Sequence, residues 1–177
     1  MSKASLKKEL STFDKDQLLE VILNVYSSSK EAKEYLEFFL NPDADALRQK
    51  KIDILAKEIN RSKRGYSKAR ISVIRRIIKD FAAFGIGPDQ LFQLQRDTVR
   101  MLIGMERFYI YPATLTTGTA HLAADMLVTA NSAGMLQTAL DAIDEIFKQE
   151  FGRRSFKDNV FAVAYSIFKD KTGFSPK

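Results

Sequence analysis

The sequence contains no cysteine, no tryptophan and a single histidine among its 177 residues. The absence of cysteine excludes disulfides, thiolate metal sites and cysteine nucleophiles. A lone histidine without cysteine also leaves too few ligands for a tetrahedral zinc site. We therefore expect no metal ion, no redox chemistry and no cofactor.

Long apolar runs are missing as well. No run approaches the roughly 18–20 apolar residues that cross a bilayer. The opening MSKASLKKEL is basic, but the apolar core of about 7–15 residues that marks a secretory signal does not follow it. These two observations favour a cytoplasmic protein that has no membrane partner.

Helical signals recur along the chain, whereas strand signals are scarce. Asp14 followed by Gln17 matches a capping box, and the helix that begins there is apolar almost all round. The serines at 27–29 should break it before a third helix, KEAKEYLEFFL. Similar periodicity continues towards the C-terminus and predicts about nine helices joined by short loops.

Several boundaries follow from single residues. RSKRGY is predicted to be a loop, and Ser67 to cap the fifth helix. Pro88 should open a long sixth helix that continues towards Tyr111 and Pro112, because proline is well tolerated at a first helical position. The threonine-rich ATLTTGT that follows is predicted to be a loop, with a small-residue helix beginning near Ala120.

The predicted fold is therefore an all-α, multi-helical domain of antiparallel helical hairpins. A HEAT-like superhelical curl is one form that such hairpins could take, although no fixed repeat period is present. No internal boundary is visible, so one domain is expected over 1–177. The extreme N-terminus and residues 172–177 are expected to be frayed.

Positive charge is concentrated in one segment. Residues 48–79 hold 12 Lys and Arg against 2 acidic residues, whereas the rest of the chain holds 16 basic and 20 acidic residues. Such a segment could bind phosphates of a nucleic acid. It could equally be a solvated face that keeps the protein in solution. The candidate phosphate-binding residues are Lys50, Lys57, Arg61, Lys63, Arg64, Lys68, Arg75, Arg76 and Lys79.

A second candidate site lies near 109–121, where aromatic and hydroxyl side chains are close in sequence and could line a ligand pocket. Sealing the end of a long helix is the alternative role for such residues. His121 and Asp125 are four residues apart on one helix, which would suit an acid–base pair or a surface histidine. The pocket candidates are Tyr109, Tyr111, Thr116 and His121.

Two apparent motifs fail on inspection. Asn41, Asp43 and Asp45 resemble the first ligands of a calcium loop, but alanine replaces its glycine and isoleucine its final glutamate. The GIGP run at 85–88 has no preceding strand and no Lys-Ser/Thr pair, so it is not a phosphate loop. No nucleophile–base pair is visible either, and we expect a protein that is not an enzyme.

Three segments carry a family resemblance: LKKELSTFDKDQLLEVILNVY, KEAKEYLEFFLNP, and YSKARISVIRRIIKDFAAFG. Together, mainly over residues 6–87, they resemble the bacterial domain of unknown function family 6155. The resemblance implies an all-helical bacterial protein. It implies no reaction and supplies no catalytic residue.

These observations favour a non-catalytic helical interaction module whose partner is another protein or a second copy of itself. Nucleic-acid binding through the basic 48–79 segment is the first alternative. A helical enzyme or small-ligand binder with a pocket near 109–121 is the second. The sequence does not identify a partner.

Overall fold

A computed structural model describes residues 1–174 and confirms the all-α class. This part of the chain forms nine helices and one two-stranded hairpin. In chain order the elements are α1 (Lys3–Leu10), α2 (Lys15–Ser28), α3 (Lys30–Leu40), α4 (Ala44–Ile59), β1 (Ser62–Lys63), β2 (Tyr66–Ser67), α5 (Ile71–Ala82), α6 (Pro88–Met105), α7 (Ala113–Ser132), α8 (Leu136–Lys148) and α9 (Arg154–Thr172).

The chain divides into two compact units, which we call the N-terminal unit (Met1–Asp43) and the C-terminal unit (Ala44 onward). The expectation of one domain over 1–177 stays a prediction. The HEAT-like curl also stays a prediction.

The N-terminal unit consists of α1, α2 and α3, with α2 and α3 packed against each other. The predicted capping box is present, because Asp14 accepts from the Gln17 backbone N–H at 2.8 Å and the Gln17 side chain accepts from Asp14 N–H. The serine break is also present, since Ser29 ends α2 and caps α3. None of the residues in these helices is fully buried.

The core lies in the C-terminal unit, around α7, which packs against α5, α6, α8 and α9. Small residues allow these close approaches. A Cβ added to Gly118 would lie 2.3 Å from the Ile71 side chain, so α5 and α7 meet closely only because Gly118 has none. The largest side chains that this core buries completely include Phe81, Phe161 and Leu55.

The RSKRGY segment, predicted to be a loop, forms the β1–β2 hairpin instead. Arg64 and Gly65 both have positive φ (53° and 80°), as a tight two-residue hairpin turn requires. The predicted cap at Ser67 is wrong, because Ser67 lies in β2 and α5 begins at Ile71. The buried Glu58 carboxylate accepts a hydrogen bond from the backbone N–H of Arg70, the N-cap residue of α5, at 2.9 Å. A residue 12 positions earlier in the chain thus stabilises the start of this helix.

The threonine-rich run was also predicted incorrectly. It forms the first two turns of α7, and α6 ends at Met105 instead of reaching Tyr111. The helix is compatible with these threonines because Thr119 Oγ1 donates to the carbonyl of Leu115 at 2.8 Å within α7. The tight contact at Gly118 then holds this turn against α5.

The last helix ends at Thr172, followed by Gly173 in the left-handed region (φ 65°). The Phe174 ring packs 5.6 Å from that of Phe168. Fraying was expected from 172 onward, and its part at 175–177 lies outside the described residues.

Candidate functional site

The nine basic residues singled out from the sequence are all exposed, on α4, the hairpin, α5 and the short segments that connect them. Two of them are engaged by carboxylates: Arg61 contacts Glu58 at 3.1 Å, and Arg75 contacts Asp125 at 2.8 Å. Six have no ion pair within the described part of the chain, and these are Lys57, Lys63, Arg64, Lys68, Arg76 and Lys79. Their charges are therefore available to an anion.

The hairpin presents two of these cations at its tip. Lys63 pairs with Tyr66 across the ladder, and Arg64 occupies the left-handed region that few non-glycine residues adopt. The segment that follows the hairpin is fixed by Glu58, whose carboxylate also accepts hydrogen bonds from the Arg70 guanidinium at 2.9 and 2.8 Å. The Arg70 hydrogen bonds, opposed by burial and helped by Arg61, lower the pKa of Glu58 to about 2.

Exposed apolar side chains accompany the hairpin. The Ser67 N–H donates to the Ile110 carbonyl at 3.0 Å, and the Ile110 N–H donates to Gly65 at 2.9 Å. Ile110 thereby lies beside Tyr66, and Phe108 is two residues away in sequence; all three are more than half exposed. Phe108 and Ile110 were not singled out from the sequence, although the β-branched and aromatic FYIY run favours extended backbone.

The four residues proposed for a pocket near 109–121 are all half-buried. The Tyr111 hydroxyl donates to the Leu102 carbonyl at 2.6 Å, and its ring packs edge-on against Phe156. Burial, followed by the Glu106 charge, raises the pKa of Tyr111. Thr116 and His121 lie about 140° apart around α7. A ligand at these residues stays a prediction.

A cavity of about 560 Å³ lies between α5, α6 and α7, and we call it the basic cavity. Arg75, Arg76 and Lys79 line it from α5. Its apolar wall includes Ile78, Leu91 and Leu122. It combines positive charge with an apolar surface, as a site for an organic anion would.

Gln95 lines the same cavity from α6. The residue is 6% exposed, and its buried Oε1 has no hydrogen-bond donor among residues 1–174. Buried polar atoms are almost always satisfied, so an orphaned amide oxygen needs an explanation. Gln95 could not be predicted as a site residue, because the sequence does not show whether a helical glutamine is buried.

Asp125 lines the basic cavity from α7. Its carboxylate is held by Arg75 at 2.8 Å and by Lys171 of α9 at 2.7 Å. Each of the two carboxylate oxygens of Asp125 therefore contacts a cation. Arg76 and Lys79, in contrast, have no ion pair within the described residues.

A second cavity, of about 480 Å³, lies between α4 and α6 and is closed by Phe151. Met101, Met105 and Phe108 make its wall largely apolar. The Arg100 guanidinium stands 5.6 Å from the centre of the Phe151 ring, within cation–π range. The aromatic ring thus faces the one guanidinium of the described residues that lines this cavity.

The N-terminal unit has a different feature, an apolar surface on its helical hairpin. Leu19, Ile22 and Leu23 share one face of α2, at spacings of three and four residues. The same is true of Tyr35 and Phe39 on α3. The members of this apolar hairpin surface are 45–73% exposed: Leu19, Ile22, Leu23, Tyr35, Phe39 and Leu40.

Among residues 1–174, no three His, Asp or Glu side chains are grouped so that they could hold a metal ion. No helix in that range has the length and apolar character needed to cross a bilayer.

Comparison with known proteins gives one family. No curated protein and no solved structure matches the chain. The profile of a family of unknown function, DUF6155, matches residues 1–110, which include the N-terminal unit, the hairpin and helices α4–α6. The chain therefore belongs to the DUF6155 family.

Proposed function

We propose that the protein is a non-catalytic helical interaction module whose partner is a second copy of itself. The observation that carries this proposal is the apolar hairpin surface, where six large side chains are 45–73% exposed. A helix that is apolar almost all round, as α2 is, belongs in an interior. Within the N-terminal unit its main packing partner is α3.

The size of the surface supports association. Six large apolar side chains, each about half exposed, offer several hundred Å², on the order of the 800 Å² that each partner buries in a standard interface. The N-terminal unit has only 43 residues. Independent units of about 40 residues usually need oligomerisation, disulfides or a bound metal to be stable.

A second copy suits this surface better than a different protein. Two helical hairpins that meet face to face form a four-helix bundle, and a two-fold interface needs only one self-complementary surface. Permanent homodimers also have the most apolar interfaces, and none of the six residues here is charged. A cytoplasmic location in a bacterium is part of the same proposal.

Sedimentation velocity of the full chain tests this proposal. We expect a dimer at micromolar concentrations and a monomer when Leu23 and Phe39 are both changed to glutamate. Val163→Glu is the matched control, since Val163 is exposed in the C-terminal unit and should leave the dimer intact. A monomeric wild-type chain would overturn the proposal, whether the surface is then covered by the same chain or by a different protein.

Nucleic-acid binding is a second candidate function, favoured by the hairpin. Its tip presents Lys63 and Arg64 without ion-pair partners in the described structure, beside the exposed ring of Tyr66. Cations release counterions from phosphates, and an aromatic ring can stack on an unpaired base. Phe108, which is 67% exposed, is a further aromatic ring near the hairpin in sequence.

A salt titration with labelled duplex DNA and RNA tests this second function. Five phosphate contacts would give a slope of about −4 to −5 in log affinity against log salt for duplex DNA. The double variant Lys63→Glu, Arg64→Glu should reduce its magnitude by about 2. The control, Lys7→Glu with Lys8→Glu, makes the same charge change on α1 and should have a smaller effect. Equal losses in both variants would contradict a role for the hairpin.

A further inference from the structure

The basic cavity combines three features that a solvated basic face does not need. It has cations without partners, an apolar wall, and a buried amide oxygen without a donor. The cations and the amide come from different helices, α5 and α6, so the combination is not a consequence of one helix's periodicity.

We propose that the basic cavity is a binding site for a mononucleotide. Arg76 and Lys79 bind the phosphate, the base lies against the apolar wall, and a base N–H donates to the Gln95 amide. The site is independent of association through the apolar hairpin surface.

The phosphate subsite follows from the cations on α5. Arg76 and Lys79 are three residues apart, so they project from the same side of the helix, and neither has an ion pair within the described residues. Arginine offers a planar fork of donors to phosphate oxygens, and lysine adds a point charge. Arg75 contributes less, because Asp125 already occupies one of its terminal nitrogens.

The base subsite follows from Gln95. An unsatisfied buried amide oxygen is costly, and a ligand N–H would relieve that cost. The terminal torsion of glutamine is broad, so the amide can turn its oxygen towards a ligand in the cavity. Inorganic phosphate at neutral pH has no apolar body to cover Ile78, Leu91 and Leu122, whereas a nucleobase has both an apolar face and N–H groups.

The cavity also has the right size. Its volume of about 560 Å³ falls within the range of roughly 300–1,000 Å³ that is typical of small-molecule sites. The sugar–phosphate backbone of a long nucleic acid would need only the exposed cations. Binding of such a backbone would leave the unsatisfied amide oxygen of Gln95 unexplained.

Isothermal titration calorimetry of the full chain tests the proposal with adenosine, guanosine, cytidine and uridine monophosphates. The four nucleosides and inorganic phosphate serve as comparison ligands. We expect at least one nucleotide to bind at least about tenfold more tightly than both its nucleoside and inorganic phosphate. The proposal is overturned if no nucleotide binds, or if inorganic phosphate binds as tightly as the best nucleotide.

Two sets of variants make the assignment specific. Arg76→Gln and Lys79→Gln should each weaken nucleotide binding by about tenfold. Lys68→Gln removes an equally exposed cation outside the cavity and should leave binding unchanged. Equal effects at all three positions would show non-specific attraction and would overturn the phosphate subsite.

Gln95→Met distinguishes a ligand-binding amide from a structural one. Methionine has a similar shape but no amide, so the variant removes the orphaned oxygen and should raise the melting temperature of the unliganded protein. The same variant should weaken nucleotide binding by about tenfold. Unchanged nucleotide affinity in this variant, or a lowered melting temperature without ligand, would contradict the proposed role of Gln95.

Discussion

The two units begin their helices in different ways. In the N-terminal unit, the side chains of Ser2, Asp14 and Ser29 each accept a backbone hydrogen bond at the start of α1, α2 and α3. In the C-terminal unit, none of the helices α5–α9 has a side-chain cap from its own N-cap residue.

Burial shows the opposite trend. Every fully buried apolar residue in the described structure lies at Leu47 or beyond, in the C-terminal unit. The helices of the N-terminal unit have local start signals and little interior, whereas those of the C-terminal unit have an interior and few local signals. Most helical stability in proteins comes from packing, so the C-terminal unit should contribute most of the stability of the chain.

The largest expected effect comes from removing one ring from each unit. Phe161→Ala should cost about 3–5 kcal/mol, because Phe161 is 2% exposed and its loss leaves a cavity in the core. Phe13→Ala should cost less than about 1 kcal/mol, because Phe13 is 40% exposed. Urea denaturation followed by circular dichroism measures both. Similar costs at the two positions would mean that the units do not differ in packing.

Two carboxylates, one buried in the C-terminal unit and one exposed in the N-terminal unit, should differ less in their contribution to the free energy of unfolding. Glu58→Gln should cost about 2 kcal/mol, because the buried side chain loses charge-assisted bonds from Arg70 and Arg61. Glu37→Gln should cost at most about 0.5 kcal/mol, since Glu37 is 57% exposed and its Lys33 contact is 3.9 Å long. Urea denaturation at neutral pH measures these differences. A cost for Glu37→Gln that matched that of Glu58→Gln would contradict this contrast.

The Glu58 contribution should also depend on pH. Its pKa is lowered from 4.5 to about 2 in the folded protein, so folding favours the ionised carboxylate. The stabilisation is fully present above pH 4.5 and is lost as the pH falls towards 2. The difference in unfolding free energy between wild type and Glu58→Gln should therefore shrink over that range. A difference that stayed constant down to pH 2 would disprove this linkage.

The smallest expected effect concerns capping. Asp14→Ala removes the capping box of α2 and should destabilise that helix by about 1 kcal/mol. Thr114→Ala, an exposed change in the first turn of α7, removes no cap and should have almost no effect. Amide hydrogen exchange at the start of each helix reports the difference. Unchanged exchange in α2 would show that packing, not capping, fixes its start.

The same contrast explains which elements could be predicted from the sequence. The start of α2 at Asp14 and the break at Ser29 were predicted correctly, because caps act within a few residues. The start of α5 was not, because Glu58, 12 residues before Arg70, takes the place of the expected Ser67 cap. The start of α7 was missed because the contact between Gly118 and Ile71 is a tertiary one.

In the candidate sites, too, features set by the local sequence could be predicted, and features set by long-range packing could not. Lys63, Arg64 and Arg76 were singled out from the sequence and are exposed, since a concentration of charge is a local pattern. The orphaned oxygen of Gln95 was unpredictable, because it depends on the packing of α5 and α7 around α6. The contact of Asp125 with Lys171 joins residues 46 positions apart and was equally invisible.

The tight turn at Arg64–Gly65 has a consequence for proteolysis. Trypsin cleaves after lysine and arginine, and an exposed Lys-Arg pair at a loop tip is ordinarily an easy target. The protease must hold its substrate in an extended conformation, whereas Arg64 is in the left-handed region and the strands on either side are paired. Ile110 bonds to the hairpin at Gly65 and Ser67, so the tip cannot straighten without opening those contacts, and its backbone geometry should slow cleavage after Lys63 and Arg64.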